Sequence, residues 1–493
     1  MFPIALAQTQ QQGRPMPSRT IILSTLFALL TVSSSLAKSR PNIVLILADD
    51  MGYGDVGAYN PNSKIATPHL DSLVKTGMRF TDAHSGGSTC VPSRYALLTG
   101  RFAIRATLDA KRNPTIEPGR TTIASLLREN GYATSMVGKW HEGFEKNNGE
   151  FNYDQPLRGG PADQGFDSFF GMHASLDIPP FFYIRDRTPT AAPTNRIGAG
   201  TSEGGPEGWT RIQGAFWREG PVAPDFKIEE VTPRFEKEAV KLIRNHSAAK
   251  TEKPLFLYLA LPSPHTPWVP TKRWQGKSNA GMYGDFVMQV DSVVGSVVAA
   301  LKKAKMTDDT LIIFSSDNGP VWYDKDVEKF GHDATGILKG MKGDAWEGGH
   351  RMPFIARWPD GIQAGATNNH LVSFADVLAT FAELVGSSPI PKGSGEDSVS
   401  FFSALTNQQA GSVKRPAIIH GSNAIRDGDW KLITHLGSGG FSQPRRVAPK
   451  KGSKLTGQLY NLREDVGETN NRYLEYPELV ERLHAKLKKE SGK

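Results

Sequence analysis

The 493-residue chain contains one cysteine, Cys90. A single thiol excludes an intramolecular disulfide framework and any zinc cluster built from several thiolates. There is no long run of Lys or Arg. The 58 basic and 50 acidic residues give a formal charge of +8 that is spread along the chain. A basic but unclustered surface suits an anionic substrate better than groove reading, so nucleic acid is not an expected partner. Internal repeats and low-complexity tracts are also missing. Charged residues are 22 % of the chain, too few for a disordered polymer, and 38 % apolar residues suffice for a sizeable core. The length corresponds to about three average domains, or to one large α/β domain with additions. Apart from one N-terminal segment, no apolar run is expected to approach a membrane span.

That segment, Ile21 to Val32, follows Arg14 and Arg19 and leads into Ser35-Leu36-Ala37. A basic flank, a short apolar stretch and small residues at 35 and 37 predict a signal peptide over 1–37, cleaved after Ala37. The mature protein is then exported, periplasmic or secreted, with no stable membrane insertion. An uncleaved anchor is the alternative, and Met16 is a second candidate start. An odd cysteine in an exported chain is a dimer bridge, a reactive group or a buried bystander.

Four apolar runs end in polar clusters. Ile43 to Ala48 runs into Asp49-Asp50, and Tyr132 to Val137 into Gly138-Lys139-Trp140-His141. Leu255 to Ala260 leads toward Pro264-His265, and Leu311 to Phe314 into Ser315-Ser316-Asp317-Asn318-Gly319. Unalternated aliphatic runs predict strands buried on both faces, hence a mostly parallel sheet between helices. Ligands of such sheets bind beyond the carboxyl ends of the strands, where all four runs place ionisable or amide side chains. Helices are expected after Thr67-Pro68 up to Gly77, from Thr122 to Asn130, and from Phe286 to Leu301. The βαβ rhythm predicts an α/β fold.

Residues 186–226, rich in Gly, Pro and Thr, read as an irregular insertion on the substrate side or as a mobile excursion. From about residue 400 the pattern changes. Trp430–Ile433 and Gln458–Leu462 predict a small antiparallel sheet, closed by a helix after Pro477 with Leu479, Leu483 and Leu487 inward. The expected organisation is therefore a catalytic domain over 38–399 and a C-terminal α/β subdomain over 400–493.

Asp49, Asp50, Asp317 and Asn318 form a candidate metal cluster. Three carboxylates and an amide at one edge repel unless a cation joins them. The ligands are hard oxygens, which favours one calcium ion, or less readily magnesium, over zinc. Taken singly, Asp-Asp and Asp-Asn-Gly are turn signals. Lys139 and His141 lie two apart and share a face in an extended segment. Prolines bracket His265, and glycines flank Lys342. Cations beside a metal form a pocket for a tetrahedral oxyanion.

Cys90-Val91-Pro92-Ser93-Arg94, with Leu97-Leu98-Thr99-Gly100-Arg101, resembles the signature of the type I sulfatases. Pro41–Asp55, Gly138–Gly143, Ser263–Pro267, Ser316–Gly319, Lys342–Pro353, Arg426–Ile433 and Leu459–Glu468 are similar to further family segments. The resemblance spans nearly the whole mature chain. Glu142 and His350 depart from it, standing where leucine and an aliphatic residue are usual; neither is expected to touch a catalytic position.

The resemblance implies an alkaline-phosphatase-like fold and hydrolysis of sulfate monoesters of aryl or carbohydrate compounds. It implies that a maturation enzyme oxidises Cys90 to formylglycine during export, and that the hydrate attacks sulfur beside calcium. The metal ligands would be Asp49, Asp50, residue 90, Asp317 and Asn318. Asp317 would be the base, and Lys139 and Lys342 would neutralise sulfate oxygens. His265, with Lys342, would serve the leaving oxygen, and Arg94 and His141 would position residue 90. Ser175, in Gly171–Ser175, matches a substrate-contacting serine. Two rivals are a phosphomonoester or phosphodiester hydrolase of the same superfamily and a non-catalytic glycan-binding relative. Asn318 stands where two-metal phosphatases carry a histidine, which argues against the first. No pocket residue of the family pattern is missing, which argues against the second.

Overall fold

The structure, a computed structural model, describes residues 40–106, 114–406 and 415–491. The expected signal peptide and its cleavage site at Ala37 lie outside these residues. The first strands are β1 (Asn42–Asp49), β2 (Met78–Phe80), β3 (Ala83–His84), β4 (Ala133–Lys139) and β5 (Ser168–Met172). Then come β6 (Ile184–Arg185), β7 (Thr188–Pro189), β8 (Asn195–Ile197), β9 (Gly220–Val222) and β10 (Leu255–Pro264). β11 (Thr310–Ser316), β12 (Phe354–Arg357), β13 (Ala366–Asn368) and β14 (Val372–Ser373) follow. The last are β15 (Ile418–His420), β16 (Ala424–Asp427), β17 (Trp430–Ile433) and β18 (Gln458–Asn461).

Ten strands form one sheet in the order β13-β2-β12-β11-β1-β10-β4-β5-β6-β7. Its centre, β11-β1-β10-β4-β5, is parallel, and it contains the four predicted runs. Every residue of β1, β10 and β11 is buried, as their unalternated apolar sequences require. The carboxyl ends of β1, β4, β10 and β11 share one edge, and the charged residues that follow them converge there. Gly138, one residue before the end of β4, has φ 122°, and a Cβ there would lie 1.9 Å from the Ala260 carbonyl of β10. Only glycine lets the two strands pair as far as position 138, next to Lys139.

The helices are α1 (Pro68–Thr76), α2 (Cys90–Thr99), α3 (Ile123–Glu129), α4 (Val231–Ala248) and α5 (Gly281–Lys303). They continue with α6 (Asp324–Phe330), α7 (Asp376–Leu384), α8 (Phe402–Leu405) and α9 (Pro477–Ser491). α1 begins at the predicted proline, and the Thr122 hydroxyl caps α3 by accepting from the Ser125 N–H at 3.0 Å. α5 corrects one expectation, because it is long and apolar enough to cross a membrane. Its valine stripe, Val287, Val290, Val293, Val294 and Val297, is instead fully buried in the core.

The span 186–226 is largely irregular but holds one antiparallel pair, β8 with β9. Trp209 fastens it, edge-on to Trp268 with ring centroids 5.0 Å apart and stacked on Phe330 at 5.6 Å. The C-terminal strands form an antiparallel sheet, β15-β16-β17-β18. α9 lays Val480, Leu483 and Leu487 in its core, where Phe102 and Ala375 also pack. The described residues from 40 to 491 belong to one compact unit.

Candidate active site at the carboxyl edge of the sheet

Asp49 is the last residue of β1, and the chain turns at Asp50 with φ 63°, a left-handed conformation uncommon outside glycine. Two bonds to the β11 end brace this turn. The Asp50 N–H donates to Asp317 Oδ1 at 3.3 Å, and the Met51 N–H to Ser316 Oγ at 2.9 Å. The Asn318 amide donates to Asp50 Oδ1 at 2.6 Å. The three carboxylates and Asn318 are thus drawn together, with Asp49, Asp317 and Asn318 completely buried.

Three basic side chains enter the cluster. Lys342 Nζ lies 2.5 and 2.7 Å from the two Asp50 oxygens. Lys139 pairs with Asp49 and donates to Ser175 Oγ at 2.7 Å. Arg94, on α2, grips Asp317 Oδ2 through Nε at 2.9 Å and Nη2 at 2.8 Å, and reaches the Lys139 carbonyl at 3.1 Å. His265 Nε2 is 3.7 Å from Asp50 Oδ2. Cys90 opens α2, with Sγ 3.3 Å from Asp49 Oδ1 and 3.6 Å from Lys342 Nζ.

These neighbours divide the carboxylates. Burial raises the affinity of Asp49 for a proton, but Lys139, His265 and Arg94 outweigh it and hold the group below its ordinary range. At Asp317, burial and then the Asp49 charge prevail, and the carboxyl is pushed up. Burial, followed by Asp317 and Asp49, raises the Cys90 thiol well above its ordinary value. At neutral pH it is a protonated thiol among carboxylates, not a thiolate nucleophile.

The donor set fits a hard dication. Three carboxylates converge, and Asn318 Oδ1 is buried with no hydrogen-bond partner among the described residues. Asp49, Asp50, Cys90 and His265 also offer ligand atoms within 4.8 Å of one another. Arg94, Lys139 and Lys342 pair with Asp317, Asp49 and Asp50, so the case for a metal rests on the hard-oxygen donor set and the unpartnered Asn318 Oδ1.

Ten of the eleven predicted residues are joined by these contacts. His141 departs from its predicted geometry. Its φ of 64° breaks the strand alternation after Lys139, so the two do not share an extended face. Its N–H donates to the His173 carbonyl at 3.0 Å, and the residue is buried. Two supporting residues were not foreseen. Asp177 is buried near His265 and Lys139, two positions after Ser175, and its pairing with Arg218 was not readable from spacing. Tyr283, near the amino end of α5 and ahead of the predicted Phe286–Leu301 helix, bonds Asp55 through its hydroxyl, which also lies 3.3 Å from the Asp50 carbonyl.

Glu142 lies closer to the site than expected, within electrostatic reach of Arg94 and Lys139, and bonded to Thr115. Burial nevertheless dominates and keeps its carboxyl protonated well above the ordinary range. The unfolded chain loses this proton near pH 4.3 and the folded chain keeps it, so stability falls as pH rises above that point. The slope is up to about 1.4 kcal/mol per pH unit until Glu142 ionises in the folded state. Glu142→Gln is expected to flatten the slope, measured by denaturant unfolding across pH 5–8.

The sulfatase family model matches residues 41–387. The N-acetylgalactosamine-6-O-sulfatase of Bacteroides thetaiotaomicron is 32 % identical over 485 residues, covering 90 % of this chain and 92 % of that protein. Human arylsulfatase A is 32 % identical over 477 residues, covering 90 % of this chain and 85 % of that protein. A solved structure from work on glycosaminoglycan metabolism by B. thetaiotaomicron superposes with a TM-score of 0.78 at 31 % identity, over 92 % of this chain and all of that one.

Proposed function

This chain belongs to the sulfatase family of sulfuric ester hydrolases, and we propose that it cleaves carbohydrate or aryl sulfate monoesters with a nucleophile made from Cys90. The observation that carries this reading is the position of Cys90. It is the first residue of α2, inside the carboxylate cluster, with a thiol that burial and its neighbours keep protonated. Such a thiol is a poor nucleophile and a poor ligand for a hard ion. Oxidation to formylglycine by a maturation enzyme during export replaces it with an aldehyde, whose hydrate supplies a hydroxyl nucleophile. Calcium, held by Asp49, Asp50, Asp317 and Asn318 with residue 90, would supply Lewis-acid polarisation.

The chain's own residues do the rest. The amino end of α2 favours negative charge next to residue 90. Lys139 and Lys342 turn from their carboxylates to the non-bridging sulfate oxygens. Arg94 locks Asp317, and with His141 it sets the position of residue 90. Asp317, with its raised proton affinity, accepts the proton of the attacking hydroxyl. His265, aided by Lys342, protonates the leaving oxygen, and Ser175 holds Lys139 toward the ester. The 38–399 segment would carry the chemistry, with 400–493 as a subdomain packed against it and 186–226 shaping the substrate approach.

The similarity to an N-acetylgalactosamine-6-O-sulfatase supports a sulfated sugar as the natural substrate. Nitrophenyl sulfate and nitrophenyl phosphate separate this reading from phosphoester hydrolysis. A preference for sulfate of roughly 10²-fold or more in kcat/KM is expected. A preference for phosphate would overturn it.

A further inference from the structure

Asp177 carries a buried acceptor that the chemistry above does not use. It lies two positions beyond Ser175, in the loop after β5, and its side chain is 8 % exposed. Oδ2 is paired with Arg218, but Oδ1 is buried with no hydrogen-bond partner among the described residues. Burial favours the protonated carboxyl, yet His265, Arg218 and Lys139 outweigh it and hold the group below its ordinary range. At neutral pH it is an anion, which accepts hydrogen bonds and donates none. Buried polar atoms in folded proteins seldom stand unmatched in this way.

Arg218 is the other half of the feature. It comes from the 186–226 insertion, two positions before β9. Its N–H and Nη1 both donate to the Asp177 carbonyl at 3.1 Å. The guanidinium rests over Phe216, its central carbon 5.4 Å from the ring centroid. The side chain is nevertheless 53 % exposed, and Nε and Nη2 take no part in the bonds to Asp177. The insertion thus delivers a fixed, half-exposed donor to a residue that stands among the catalytic groups.

The two charges restrict what binds between them. Arg218 repels a cation, and Asp177 repels a second anion. The group that fits is neutral, donates to Oδ1 and accepts from a guanidinium N–H. A hydroxyl does both. Its owner follows from the neighbours. His265, which serves the leaving oxygen, and Lys139, which faces the sulfate, both act on Asp177. A ring bonded to the leaving oxygen brings its own substituents to this side of the site.

We propose that Asp177 and Arg218 read a hydroxyl of the sugar ring that carries the sulfate ester, with Asp177 Oδ1 accepting its hydrogen bond and Arg218 donating to its oxygen. This deepens the sulfatase reading and rests on it. A nitrophenyl ester offers no such hydroxyl and leaves the buried Asp177 oxygen unmatched, so the pair discriminates sugar from aryl esters.

Full-length enzyme is assayed on nitrophenyl sulfate and on a panel of monosulfated hexoses and N-acetylhexosamines. Sulfate release from at least one sugar is expected. For that sugar, Asp177→Asn and Arg218→Met are expected to lower kcat/KM about 10- to 10²-fold more than they lower it for nitrophenyl sulfate, chiefly through KM. The half-exposed position of Arg218 makes Arg218→Met the test that does not depend on a buried substitution. Equal losses on both substrates, the result a structural role gives, overturn the proposal, as does no loss in either variant. Turnover of nitrophenyl sulfate but of no sugar overturns this proposal alone. Failure on every sulfate ester overturns the sulfatase reading with it.

Discussion

Replacing Cys90 with alanine is expected to abolish turnover while leaving the fold in place. The side chain is buried at the head of α2, and its Sγ lies 3.3 Å from Asp49 Oδ1 and 3.6 Å from Lys342 Nζ. Neither contact supports the helix. Removing one small buried group costs on the order of 1 kcal/mol. Losing the nucleophile of a covalent mechanism costs on the order of 10⁶ in kcat. The two effects are read separately, by thermal unfolding and by nitrophenyl sulfate turnover. Cys90→Ser refines the test, because its hydroxyl preserves size and supplies a hard oxygen without the oxidation state of an aldehyde. It is expected to be as inactive as alanine unless the producing cell oxidises serine. Near-normal activity in Cys90→Ala would remove residue 90 from the chemistry.

Asp317→Asn is expected to damage both activity and stability. Asp317 Oδ2 accepts a hydrogen bond from Arg94 Nε and lies 2.8 Å from Nη2, and both side chains are completely buried. An amide of the same shape leaves the guanidinium without its main counter-charge, and Asp49 Oδ2, 3.8 Å away, does not replace it. Breaking a buried pair from one side costs about 3–5 kcal/mol. The amide also cannot take the proton of the nucleophile, a loss of about 10²–10⁴ in kcat. Denaturant unfolding and steady-state rates measure the two losses. A variant with full activity would refute the role of Asp317 as base. The companion change Arg94→Met is expected to recover part of the stability but none of the rate, because it removes the stranded charge without restoring the carboxylate.

The parts of this site that were legible in the sequence are those that depend on chain direction. A run such as Ile43 to Ala48 has no polar face, so it had to be buried on both sides. A parallel sheet then sent Asp49 and Asp317 to the same edge. The Cys90 signature and the Gly138-Lys139 segment are local, and each holds its residues within a few positions. What stayed hidden was pairing across distance. Lys342 and Asp50 are 292 residues apart, and no spacing rule brings that ammonium to that carboxylate. His141 was placed on an extended face because the positive φ that follows β4 leaves no mark in Lys-Trp-His. The membrane criterion failed at α5 because length and apolar content do not distinguish a core helix from a span; burial does. The Asp177–Arg218 pair was illegible for the same reason as the Lys342 pair. Its members are 41 residues apart, and an irregular insertion supplies the arginine.

Mass spectrometry of the peptide containing Cys90, from protein made in its own host, tests the central claim most directly. The account predicts a residue in which oxygen replaces sulfur and two hydrogens are lost, the formylglycine aldehyde. An intact thiol in a sample that hydrolyses nitrophenyl sulfate at full rate would contradict it.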